Sequence, residues 1–160
     1  MKFFFIIFLL ILGCNDEQDE IAKISVTMLR VPYVTMSTSD WITPVYMYGK
    51  LESDNFDVNG VVVRWFSDTY WDSNDSGSFY QLLCGECSKG VWYREDGTTD
   101  TTVVQLRTLN RVTQHLSVTD SLGYFYNILT PIYPMRDIFI KLWWSIEETV
   151  IDSQQIFLMD

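Results

Sequence analysis

The side chains best suited to chemistry gather in the middle of the chain. Cys84 and Cys87 flank Gly85-Glu86, the spacing of a dithiol that can cycle with a disulfide. A redox role needs a helix start directly after the pair to lower a thiol pKa. Here Ser88-Lys89-Gly90 followed by Val91-Trp92-Tyr93 predicts a turn and another strand instead. A small disulfide pinning a loop is therefore expected, with periplasmic thiol exchange as the alternative. Zinc would want a second cysteine pair or a histidine partner. Just upstream, Asp72-Ser73-Asn74-Asp75-Ser76-Gly77 offers oxygen ligands at the spacing that opens a calcium loop, and Asp68 stands close by. The acid that should close such a loop falls on Leu83, so a plain polar turn is the expectation, with Asp68, Asp72 and Asn74 as the calcium candidates.

His115 is the single histidine and lies among Thr and Ser. No serine elbow, cysteine or carboxylate pair is set around it by motif, so it is expected to face solvent rather than act as a base. Neither a catalytic set nor a cofactor is expected. Aromatic residues come as neighbours at Tyr70-Trp71, Trp92-Tyr93, Tyr124-Phe125-Tyr126 and Trp143-Trp144. On strands one member of each pair must leave the core, which makes Tyr70, Trp71, Trp92 and Trp143 candidates for flat contact with a sugar ring or a protein partner. The competing expectation is that the long loop or the C-terminal strands cover them.

These residues must be positioned by strands, because the dominant hydrophobic period is two. Ile24, Val26 and Met28 alternate with polar residues, as do Val45, Met47, Gly49 and Leu51 against Tyr46, Tyr48 and Lys50. Val61, Val63 and Trp65 do so against Val62 and Arg64. The pattern of Val112, Gln114, Leu116 and Val118 against Thr113, His115, Ser117 and Thr119 predicts a polar outer face on that strand. Turn formers separate the runs at Ser37 to Asp40, Ser53 to Asn55, Asp57 to Gly60 and Asp96-Gly97. The stretch from Asp72 to Gly90 reads as a long loop or short hairpin inserted between strands. Beyond Thr130 to Pro134, Ile138 to Glu147 and the patch Ile156 to Leu158 predict a closing pair of strands. The fold class is all-β, with one core.

The N-terminus sets the compartment. Lys2, an apolar run from Phe3 to Leu12, then Gly13-Cys14 and the acidic stretch Asn15 to Glu20 have the order of an export signal. The run is too short for a bilayer-spanning helix of ~20 residues. Leu10-Ile11-Leu12-Gly13-Cys14 resembles the lipobox of bacterial lipoproteins, which implies cleavage before Cys14 and acylation of its thiol. Residues 1–13 are thus expected to be a signal peptide and 14–20 an acidic lipid tether, the membrane partner being met through the anchor. That predicts an exported, membrane-anchored protein, in the outer membrane on its periplasmic or surface face. A formal charge of −10 argues against nucleic acid as a partner.

Three segments then resemble, in order, the strand motifs of PKD-type immunoglobulin-like domains: Pro44 to Ser53, Gly60 to Asp68, and Leu109 to Gly123. The resemblance implies Trp65 as core tryptophan and a turn at Val118-Thr119-Asp120-Ser121-Leu122-Gly123. It implies an antiparallel immunoglobulin-like sandwich over 21–128, with an inserted loop and extra C-terminal strands over 129–160 that pack on it. An envelope protein or a glycan is the partner expected for a non-catalytic binding, adhesion or structural module of this kind.

Overall fold

A computed structural model describes residues 24–74, 77–83, 89–103 and 106–160. Among them there is no α-helix, and no helix long and apolar enough to cross a membrane. The period-two runs fold as strands: β1 (Ile24–Met28), β2 (Tyr33–Thr35), β3 (Val45–Ser53) and β4 (Val62–Ser67). After β4 come β5 (Thr69–Trp71), β6 (Phe79–Leu82), β7 (Lys89–Tyr93), β8 (Thr99–Val103) and β9 (Asn110–Arg111). The chain ends with β10 (Leu116–Val118), β11 (Tyr124–Leu129), β12 (Phe139–Ile146) and β13 (Thr149–Met159).

Hydrogen bonding sorts these into three sheets, ordered β1-β3-β11, β10-β4-β12-β13-β2 and β8-β7-β6-β5-β9. All pairs are antiparallel except β13 with β2. The first two sheets share one apolar core in a sandwich-like arrangement. Met47 and Leu51 of β3 and Leu129 of β11 enter it from one side, Val63 and Trp65 of β4 and Ile140, Leu142 and Trp144 of β12 from the other. Trp65 sits at the centre, fully buried, with its ring 6.1 Å from Phe125 and 5.6 Å from Trp144. The expected turns close through their own side chains: Ser53 Oγ accepts from Asn55 N, Asp57 Oδ1 from Asn59 N and Asp96 Oδ1 from Thr98 N.

Three expectations are corrected. Leu116 and Val118 face solvent, while Ser117 and Thr119 are buried. The run is not one strand: it bends between β9 and β10, so Val112 and Thr113 are both buried and the phase flips. Hydroxyls win the interior because they have work there: Trp65 Nε1 donates to Ser117 Oγ over 2.8 Å, and Val61 N to Thr119 Oγ1 over 2.8 Å. The residues expected as added C-terminal strands lie inside the second sheet, β12 between β4 and β13. The insertion is also larger than a loop or short hairpin. Residues from β5 to β9 build the third sheet, one face of which carries Tyr70, Tyr80 and Leu82 under Leu106, Leu109 and Trp92. On its other face, Phe79 is part of the main core and Trp71 and Tyr93 pack against it.

The β12–β13 hairpin turns in two residues, Glu147 (φ 47°) and Glu148 (φ 69°), with Ile146 paired to Thr149. Both occupy the left-handed region, which asparagine and glycine adopt far more readily. Replacing them together, Glu147→Asn with Glu148→Gly, should raise unfolding stability by about 1–2 kcal/mol, read as a higher urea midpoint at unchanged slope. Ser117→Ala should do the reverse: it strands the buried Trp65 indole N–H and should cost about 1–3 kcal/mol in the same experiment.

Candidate functional site

The outer face of the three-stranded sheet carries a group of four exposed tyrosines; a second aromatic row, with Tyr33 and Phe139 exposed and Phe157 half-buried, crosses β2, β13 and β12 of the second sheet. Alternation on β3 drives Met47, Gly49 and Leu51 inward and leaves Tyr46 and Tyr48 outside. The same rule on β11 buries Phe125, Asn127 and Leu129 and turns Tyr124 and Tyr126 out. The register sets Tyr126 opposite Tyr48 and Tyr124 opposite Lys50, so the rings share one surface. Tyr46, Tyr48, Tyr124 and Tyr126 are 52, 52, 51 and 56% exposed. Tyr46 and Tyr48 lie nearly parallel, 21° between planes and 6.5 Å between centroids. From β1, Ser25 and Thr27 pair with Glu52 and Lys50 and are exposed on the same side.

The face is electrically quiet. Lys50 Nζ lies 2.6 Å from Glu52 Oε1 and 5.5 Å from the centre of the Tyr124 ring. The hydrogen bond to Glu52 raises the Lys50 pKa, so the cation persists and is matched by its neighbour's carboxylate. A shallow cleft of about 440 Å³ opens beside this pair, lined by Leu29, Tyr48, Lys50 and Tyr124 among others.

Its underside is tightly fixed. A Cβ on Gly49 would meet Met28 Sδ and Phe125 Cζ, each at 2.4 Å, so the missing side chain lets β1 and β11 close over β3. Ahead of β11, Asp120 Oδ1 accepts from Leu122 N and Tyr124 N, both at 2.9 Å, and Gly123 takes φ 81°. This turn, at the residues expected, carries the chain from the second sheet into the first. At the edge of β11, Asn127 is fully buried and its amide pairs with both backbone groups of Gln114, at 3.1 and 3.0 Å.

The sequence-derived candidates lie elsewhere. Tyr70 and Trp143 are interior, Trp143 stacked on Phe66 at 5.8 Å, and neither is open to a ligand. Trp71 and Trp92 are half-buried in the third sheet, Trp92 against Tyr80. The reason is that both faces of β5 to β7 are covered, so neighbouring aromatics there are inside on either side. Tyr46 and Tyr48 were legible as outward residues of an alternating strand; their grouping with Tyr124 and Tyr126 needed the register.

Asp68 Oδ1 accepts from Lys141 N at 2.9 Å and Thr69 Oγ1 at 2.8 Å, and Asp72 Oδ1 caps Asn74 N at 2.9 Å. Among the described residues no group of three or more His, Cys, Asp or Glu converges as a metal site would require. Cys14, Cys84 and Cys87 lie outside the described residues. His115 is exposed, with Arg111 Nη1 2.8 Å from its Nδ1. A guanidinium only donates, so Nδ1 accepts and the ring is neutral. Partial desolvation, then the charges of Arg111 and Arg64, hold its pKa below the ordinary histidine value.

No protein-family model matches the chain, and a search of curated proteins finds no significant match. The reading of function therefore rests on the residues themselves.

Burial raises the Asp68 pKa above the usual carboxylate value, against the Lys141 and Thr69 hydrogen bonds that lower it. The folded chain thus holds the proton more tightly than the unfolded one, so this group favours folding at low pH and loses that contribution as pH rises through its raised value. Asp68→Asn keeps the acceptor and removes the charge. Its stability relative to wild type should rise between pH 4 and pH 7 in urea titrations, whereas Asp68→Ala should cost about 1–3 kcal/mol by orphaning the Lys141 N–H.

Proposed function

We infer that this chain is an exported, lipid-anchored and non-catalytic binding module of the bacterial cell envelope, built on an immunoglobulin-like sandwich. The observation that carries the binding role is the set of four half-exposed tyrosines on one rigid sheet face, the kind of contiguous aromatic surface that marks a contact site. Strand order supports the immunoglobulin-like part. In chain order, β1, β3 and β11 stand where strands A, B and E of that fold pair, and β4, β12 and β13 where C, F and G pair, with β10 added beside C. The PKD-type part rests on Trp65 and on Val118 to Gly123, although that turn leads into β11 rather than closing a late strand. Export and anchoring rest on the lipobox-like Leu10 to Cys14.

The non-catalytic part of the reading rests on the sequence, in which no serine elbow, cysteine or carboxylate pair is set by motif around His115. Wild type and Cys14→Ser, expressed at full length, test the anchor by intact mass and membrane fractionation: acyl mass and membrane retention in wild type alone are expected. Limited tyrosine iodination tests the contact face, comparing whole cells with detergent-solubilised protein. Tyr48 and Tyr126 should be protected on cells while Tyr33, on the other sheet, is labelled equally in both; equal labelling of all three would defeat the contact-face reading.

A further inference from the structure

The tyrosine face also constrains what it can bind. Resting on the reading of that face as the contact surface, we propose that its occupant is an uncharged, extended polysaccharide whose pyranose rings lie flat on the tyrosines.

Size is the first constraint. Three strands about 4.8 Å apart, paired over six residues at about 3.4 Å each, give a platform of roughly 300 Å². A stable protein–protein interface buries about 800 Å² of accessible surface on each partner, so a protein occupant would have to reach well past these three strands. A sugar chain needs far less, because each ring contributes a compact, pre-shaped surface. Shape is the second. The face is a pleated sheet with a shallow cleft along one side, and the Tyr46 and Tyr48 rings are within 21° of parallel. That suits a chain laid across the surface, not a side chain plugged into a hole.

Chemistry is the third constraint. A pyranose with equatorial hydroxyls presents C–H bonds on its faces and hydroxyls around its rim. Each tyrosine matches this with an apolar ring and a polar tip. Flanking groups continue the match: Ser25 and Thr27 offer hydroxyls, and Lys50 and Glu52 offer one donor and one acceptor with no net charge. A chain carrying −10 repels uronate-rich polymers and anionic lipid alike, which leaves neutral glycans. Rigidity is the fourth. Gly49, packed without space for a Cβ between Met28 and Phe125, holds the backbone beneath the tyrosines, so the strands need no rearrangement on binding.

The test is co-sedimentation of the full-length, detergent-solubilised protein with three insoluble polymers: cellulose, chitin and, as the charged control, calcium pectate. Retention on cellulose or chitin and none on pectate is expected. Tyr48→Ala combined with Tyr126→Ala should weaken that retention roughly tenfold or more, as loss of central aromatic anchors does. Tyr33→Ala, exposed on the second sheet, should leave it unchanged. Absence of retention on both neutral polymers, or retention indifferent to the double variant, overturns the proposal. Iodination separates the two readings: Tyr48 and Tyr126 protected on cells without any neutral-polymer binding would assign the face to a protein, whereas unprotected tyrosines would remove the contact face itself.

Discussion

One buried hydrogen-bond relay holds the two sheets of the sandwich in register. The Trp65 indole on β4 donates to Ser117 Oγ on β10, and that hydroxyl donates to the main-chain oxygen of Tyr126 on β11. A tryptophan brings the largest apolar surface a core can use, but its N–H costs stability when buried without an acceptor, as at Trp144. Satisfying that of Trp65 through a serine that reaches a strand of the opposite sheet turns the requirement into a cross-link. The pairing of Asn127 with Gln114 repeats the idea one residue along β11. The outward tyrosines of β11 are therefore fixed from below, by polar groups in a largely apolar interior.

Most of the framework was legible from residue order. The alternation on β3 and β4 named the correct inward residues, including Trp65, because each of those strands has one face in the core and one in water. It failed at Leu116 to Thr119 for a physical reason. Apolarity predicts burial only when no polar side chain has a better use inside, and Ser117 and Thr119 each meet a buried donor that leucine or valine would leave unpaired. It failed also at Tyr70 and Trp143, where strands are covered on both faces and period two carries no information about exposure. The tyrosine platform combined a legible part, the outward phase of Tyr46 and Tyr48, with a part that no local pattern contains, the register that sets Tyr126 beside Tyr48.

The third sheet shows how a sandwich can accept a large insertion between two of its strands. β5 continues from β4 after a break at Asp68, whose carboxylate accepts from Lys141 N on β12. Gln81 of β6 reaches the Phe139 main-chain oxygen at 2.7 Å, and Leu82 N bonds Asp68 O at 2.7 Å. The meander is thus tied to the second sheet at its root, while its antiparallel ladder satisfies its own backbone from β5 to β8. Local pairing makes such an insertion inexpensive in loop entropy. Where it returns, Val112 to Gln114 bond to Thr130, Leu129 and Asn127, so the inserted sheet is tied to the first sheet along the end of β11 as well.

On the proposed reading, anchor and platform answer the same difficulty. A face of roughly 300 Å² with no charge to steer encounter should bind each ligand segment weakly and release it quickly. A set backbone recovers some affinity, since Gly49 and the Asp120 turn place the strands that carry the tyrosines before any ligand arrives. The rest must come from number. Lipidation at Cys14 would confine many copies to one surface, and an extended polymer offers many equivalent segments, so that each engagement raises the effective concentration for the next. Weak, neutral and repeated contact by each copy is then strengthened by the assembly at the membrane surface.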